Sequence, residues 1–156
     1  MRGTPRRSRS WLEDWPRRAR LEMEARRAFS DLGYRRLQRR TGPVDTWRLT
    51  VAVPGYETRD VVIEFDRRNP SDPRVYVDGP AGSAGSAHRY QERGGTLLCL
   101  WYPGDDRSQR WEPDDGLLVL IGMIAEHLLK EAWWRERGEW IGEEYPHSLA
   151  AVGRHR

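Results

Sequence analysis

One stretch near the C-terminal end constrains the fold most. Between Gly116 and Arg137, Leu117, Leu120, Ile121, Ile124 and Leu128 recur at three- and four-residue spacing, and Leu118, Leu129 and Trp133 widen the stripe. A helix with that apolar breadth is largely buried, so the rest of the chain has to supply a surface that covers it. Asp114 or Asp115 is placed to cap its start, after Trp111-Glu112-Pro113, and Gly138 to end it. Only 37% of the 156 residues are apolar, so the cover must come from a few large side chains. Eight tryptophans and six tyrosines supply them, which argues against full disorder. No run of about eighteen apolar residues occurs, so nothing is expected to span a membrane.

The cover reads as a small antiparallel sheet. In Thr46–Val53, Trp47, Leu49, Val51 and Val53 alternate at period two and lead into the turn pair Pro54-Gly55. Val61–Phe65 and Arg74–Asp78 are two further strand-like runs, and their short connections favour a meander over parallel crossovers. Ahead of them a helix begins near Pro16, with Leu21, Ala25, Ala28, Phe29 and Leu32 on one stripe. Gly33 kinks or ends it, and Thr41-Gly42-Pro43 ends it. Gly79–Ala87 is a small-residue loop, read as a mobile excursion because too little chain remains for a second core. Thr96–Trp101 is a short apolar run carrying the only cysteine, Cys99. The expected organisation is one α+β domain over residues 16–147, between a basic flexible tail (1–15) and a second flexible tail (148–156).

Charge is distributed unevenly. Residues 1–40 hold 13 arginines against 5 acidic residues, whereas the remainder holds 14 basic and 19 acidic. Lys130 is the only lysine, a bias that arginine codons in a GC-rich genome explain. An arginine-rich start can contact phosphates, so a binding module for nucleic acid or an acidic protein surface is the competing class. The aromatics sit mostly in the acidic remainder, which ranks nucleic acid below a protein partner. One cysteine excludes an internal disulfide and points to a reduced, cytoplasmic setting, and no apolar segment follows the basic start as a secretory signal requires. No element carries zinc-ligand spacing, and Gly79–Ser86 has no lysine and precedes no helix, so neither a metal nor a nucleotide cofactor is expected.

Cys99 lies at the end of its run, between Gly94-Gly95 and a polar loop, where a thiol can be accessible and nucleophilic. Gly95-Thr96-Leu97-Leu98-Cys99-Leu100, then Trp111-Glu112-Pro113, then Gly116-Leu117-Leu118-Val119-Leu120-Ile121 together resemble the active-site region of ubiquitin-conjugating enzymes. The order of elements fits that fold: N-terminal helix, antiparallel meander, irregular excursion, cysteine, helix. The Trp- and Glu-rich end, from His127 through Trp133-Trp134 to Tyr145-Pro146-His147, looks like the stand-alone conjugating-enzyme-like proteins of cyclic-oligonucleotide antiphage signalling systems (CBASS). The strong part of the match covers residues 94–147; residues 46–78 match in topology alone.

The resemblance implies an acyltransferase. Cys99 would accept the C-terminal carboxyl of a donor protein as a thioester and pass it to an amine on a target. The implied donor is a cGAS-like nucleotidyltransferase (CD-NTase) of the same operon or a ubiquitin-like protein, and activation would come from elsewhere. His88 and His147 are candidate catalytic helpers, whereas His127, on the apolar stripe, reads as a core histidine. Trp101, Asp105, Asp106, Trp111, Arg17 and Arg18 are candidate partner-binding residues. The family's oxyanion-stabilising asparagine has no counterpart here, because the sole asparagine is Asn69 and the nearest analogue of its tripeptide is His88-Arg89-Tyr90. A backbone amide or another side chain has to take its place.

Overall fold

The computed structural model describes residues 10–80, 86–92, 95–102 and 104–142. Among them a helix α1 (Trp15–Ala28) precedes strands β1 (Gly33–Arg39), β2 (Gly42–Val51), β3 (Arg59–Asp66), β4 (Arg74–Val77), β5 (Arg89–Glu92) and β6 (Gly95–Leu98). Two single 3-10 turns, Arg107–Gln109 and Pro113–Asp115, lead into the long helix α2 (Gly116–Arg137). The sheet is antiparallel throughout, in the order β1-β2-β3-β4-β6-β5. The architecture is α+β, as expected.

The helices start where local chemistry satisfies their free amides. Asp14 accepts a hydrogen bond from Arg17 N at 3.3 Å, with Pro16 in the first turn of α1. At α2 the expected aspartate cap is replaced by a turn before the helix. Glu112 N donates to Asp115 Oδ2 at 2.8 Å, and the Glu112 side chain accepts in return from the Asp115 backbone. Gly138 ends α2 in the left-handed region at φ 74°, as its position predicts.

Two elements depart from the sequence reading. α1 stops at Ala28, and Gly33–Arg39 forms an edge strand rather than a helical extension. It pairs with β2 from Gly33↔Arg48 to Arg39↔Gly42, which sets Tyr34 beside Trp47 and Leu37 beside Val44. The Tyr34 hydroxyl and the Arg67 guanidinium both bond the buried Asp45 carboxylate, the latter at 2.7 and 3.1 Å. Cross-strand pairing thus overrides the helix propensity of the arginines. β5 is the second departure, a four-residue polar strand without apolar alternation.

Trp11 and Leu12 fall inside the stretch expected as tail, yet both are buried. Trp11 stacks on Trp47 with ring centroids 5.6 Å apart and meets Phe65 edge-on at 5.0 Å; Phe65 in turn lies 5.5 Å from Trp111. These rings close one end of the core, and Leu117, Leu120, Ile121, Ile124 and Leu128 of α2 complete it. The core therefore begins at Trp11, because the chain needs that indole's area to cover β2 and β3. Among the described residues no helix is long and apolar enough to cross a membrane.

Candidate active site

Cys99 lies one residue past β6, half-exposed, on the wall of a cleft of about 900 Å³. Strand pairing places it. The register Arg89↔Leu98 continues outward, and Cys99 N donates to His88 O at 2.8 Å, so His88 stands directly opposite the cysteine. The loop after β6 supplies the other wall: Cys99 Sγ donates to Trp101 O at 3.5 Å, and Tyr102 N donates to Asp105 Oδ2 at 2.8 Å. Across the opening α2 presents Val119, Met123 and His127.

The strands that carry the cysteine are anchored to α2 by a buried ion network. Arg89 donates to Glu131 Oε2 through Nε at 2.8 Å and Nη2 at 2.7 Å, and Ser86 Oγ donates to Glu131 Oε1 at 2.6 Å. The remaining guanidinium nitrogen reaches the carbonyls of Asp78 and Pro80, both at 3.0 Å. His127 Nε2 approaches Glu131 Oε1 to 3.3 Å. Burial works against ionisation of Glu131, but hydrogen bonds and charge from His127 and Arg89 outweigh it and hold the carboxyl at about 2. Cys99 responds the other way. Burial pushes its thiol up, Asp105 pushes it further, and a hydrogen bond from Tyr90 opposes both.

The expected site residues separate into groups. His88, Trp101 and Asp105 line the cleft with Cys99, whereas Asp106 is exposed beside it at the head of a 3-10 turn. His147 lies outside the described residues. His127 is buried, as read from the stripe, but its ring also lines the cleft, with centroids 5.6 Å from His88 and 5.6 Å from Trp140. Trp111 is a correction: it is 2% exposed and donates its indole N–H to Gly116 O at 2.8 Å, so it presents no surface to a partner. Arg17 pairs with Asp114, and Arg18 reaches Glu22 at 3.5 Å and Asp45 at 3.9 Å, so both bind the fold to itself.

The sequence reading missed Tyr90, Tyr102, Arg89, Glu131 and Trp140. Glu131 was the most accessible of these, since it continues the stripe from Leu117 through Ile124 and Leu128, and a carboxylate there requires a buried partner. Trp140 follows the turn at Gly138 and lays its ring 4.4 Å from that of His88. Among the described residues no group of three His, Cys, Asp or Glu side chains could hold a metal ion.

Comparison with known proteins gives one match. A family model described as Type II CBASS E2 protein matches residues 23–148, a span from the middle of α1 to beyond α2. No curated protein and no solved structure matches the chain. The family match spans most of the chain and takes in Cys99 and the cleft around it. The chain belongs to the Type II CBASS E2 family, stand-alone E2-like proteins that act in antiphage defence with other CBASS components.

Proposed function

We propose that this protein is a ubiquitin-conjugating-type acyltransferase, in which Cys99 carries the C-terminal carboxyl of a donor protein as a thioester and yields it to a target amine. The position of Cys99 carries the reading. It is half-exposed at a strand end, on a cleft with room for an extended donor tail. The ubiquitin-conjugating form of the fold and a cytoplasmic location belong to the same proposal, supported by the family and by the order of elements. The donor is the CD-NTase of the operon or a ubiquitin-like protein, and the target is a protein with a free amine.

The chemistry asks for little acid–base machinery. A thiol leaves a tetrahedral carbon more readily than an amine, so passage from thioester to amide runs downhill. A thiol raised by burial and by Asp105 is mostly protonated at neutral pH, which restrains reaction with small electrophiles. His88, paired with Cys99 through the backbone, and His127 across the cleft are the imidazoles that line it. The competing reading, a basic helix that binds nucleic acid, loses support because Arg17 and Arg18 are engaged within the fold.

Phage protection separates the two. Cys99→Ser should cost no more than about 1–2 kcal/mol of stability, because the half-exposed hydroxyl can reach water. We expect an operon carrying Cys99→Ser to lose protection, and one carrying Arg26→Glu with Arg27→Glu to retain it. The reverse pattern contradicts the acyl-transfer reading.

A further inference from the structure

Lys130, the only lysine in the chain, stands on the same cleft as Cys99. Its Nζ is the one side-chain amine that the protein itself can offer to an acyl group. The face of α2 places it there. Val119, Met123, Glu126, His127 and Lys130 recur at three- and four-residue spacing, and all five line the cleft. Lys130 follows His127 by about one turn, roughly 5 Å along the helix. The His127 ring lies 5.6 Å from that of His88, whose backbone carbonyl accepts from Cys99 N at 2.8 Å. The amine lies beside Gly142, two residues beyond the Trp140 ring that packs on His88. Its hold there is light. Nζ pairs with Glu126 Oε1 at 2.7 Å, but the Glu126 side chain is 64% exposed, and a pair so open to water contributes little. The flexible four-carbon stem lets the amine sweep this wall of the cleft. Arg107 and Arg110, also on the cleft, are no substitute, because a guanidinium stays protonated and is not a nucleophile.

We propose that Lys130 is a self-acylation site, which takes from Cys99 an acyl group that meets no target amine. This inference rests on the acyl-transfer reading above. The Lys130 ammonium first loses a proton to solvent, and the neutral amine attacks the thioester carbonyl. A C–N bond forms, the C–S bond breaks, and the second proton lost from nitrogen ends on the Cys99 sulfur. The products are an amide at Lys130 and a free thiol. The step does not reverse, because an amine leaves far less readily than a thiol. The attached polypeptide then occupies the cleft and closes it to a further donor. The wild type thus carries two adducts, a thioester that reductant removes and a Lys130 amide that it leaves in place.

A small acyl donor tests the transfer in the full chain. p-Nitrophenyl acetate acetylates the Cys99 thiol, and hydroxylamine afterwards strips a thioester but not an amide. Intact mass counts the acetyl groups that survive, and peptide mapping separates Lys130 from the N-terminal amine. The wild type should retain an acetyl group on Lys130. Cys99→Ala should lower acetylation of Lys130 at least about tenfold, because the intramolecular route is lost. Lys130→Arg keeps a positive charge beside Glu126, and its acetyl group should stay on sulfur and leave with hydroxylamine. No acetylated Lys130 in the wild type, or the same amount in Cys99→Ala, overturns the proposal. The acyl donor is not a protein, so this result stands apart from the acyl-transfer reading, which fails separately if the wild type forms no adduct with other CBASS components.

Discussion

The two ends of the sheet are held by different forces. At the β2–β3 end, Trp11, Trp47, Phe65 and Trp111 pack ring against ring, and the only hydrogen bonds from the buried indoles of Trp11 and Trp111 go to backbone carbonyls of Pro70 and Gly116. At the β5–β6 end the strands are four residues long and are fastened to α2 by Arg89, Glu131 and Ser86. Apolar packing is strong but tolerant of small displacements, because dispersion and the hydrophobic effect have no direction. A guanidinium–carboxylate pair, here two N–H groups converging on Glu131 Oε2, is directional. The aromatic end therefore holds the fold together, and the ionic end fixes where Cys99, His88 and Tyr90 stand. The costlier interaction, a fully desolvated charge pair, sits where position matters most.

That contrast is sharpest for two substitutions. Trp47→Ala should have the largest effect on stability, about 3–5 kcal/mol, because Trp47 is fully buried and contacts Trp11, Tyr34 and Phe65. Urea unfolding measures the loss, and the reactivity of Cys99 in the folded fraction should be unchanged. Glu131→Gln should cost less, about 3 kcal/mol, because the amide keeps an acceptor for Ser86 while leaving Arg89 without a countercharge. This second variant should also alter Cys99 alkylation in the folded state, which the first does not.

Acid titration of stability distinguishes the ends further. Glu131 sits at about 2 in the fold against an ordinary 4.5, so its contribution is complete above about pH 5 and is lost as pH falls toward 2. Stability measured from pH 6 down to pH 2 should fall more steeply in the wild type than in Glu131→Gln. Parallel curves would mean that the carboxylate does not carry the linkage.

Legibility from sequence followed the same division. α2 and strands β2, β3 and β4 were readable because their apolar residues keep strict periods over many residues. β1 was not, since Gly33–Arg39 has no apolar alternation and owes its conformation to pairing with β2. Arg89–Glu92 is too short and too polar to leave any period. The place of Cys99 at the end of a strand was legible from its flanking residues, because that stretch is contiguous. The places of Tyr90 and Tyr102 were not, because they depend on the β5–β6 register and on the loop after Leu100, neither of which is encoded locally. Trp111 was misassigned for a related reason: a tryptophan beside a polar loop can face either the cleft or the core, and only the bond from its indole to Gly116 decides.

The central claim is that Cys99 bears an acyl group donated by another protein. Intact mass of the chain, purified after co-expression with the other CBASS components, tests it most directly. The wild type should gain the mass of a donor polypeptide that thiol reductant removes, and Cys99→Ser should hold the same donor as an oxyester that reductant leaves in place. An unmodified wild-type mass under those conditions, or an adduct unchanged in Cys99→Ala, would contradict the account.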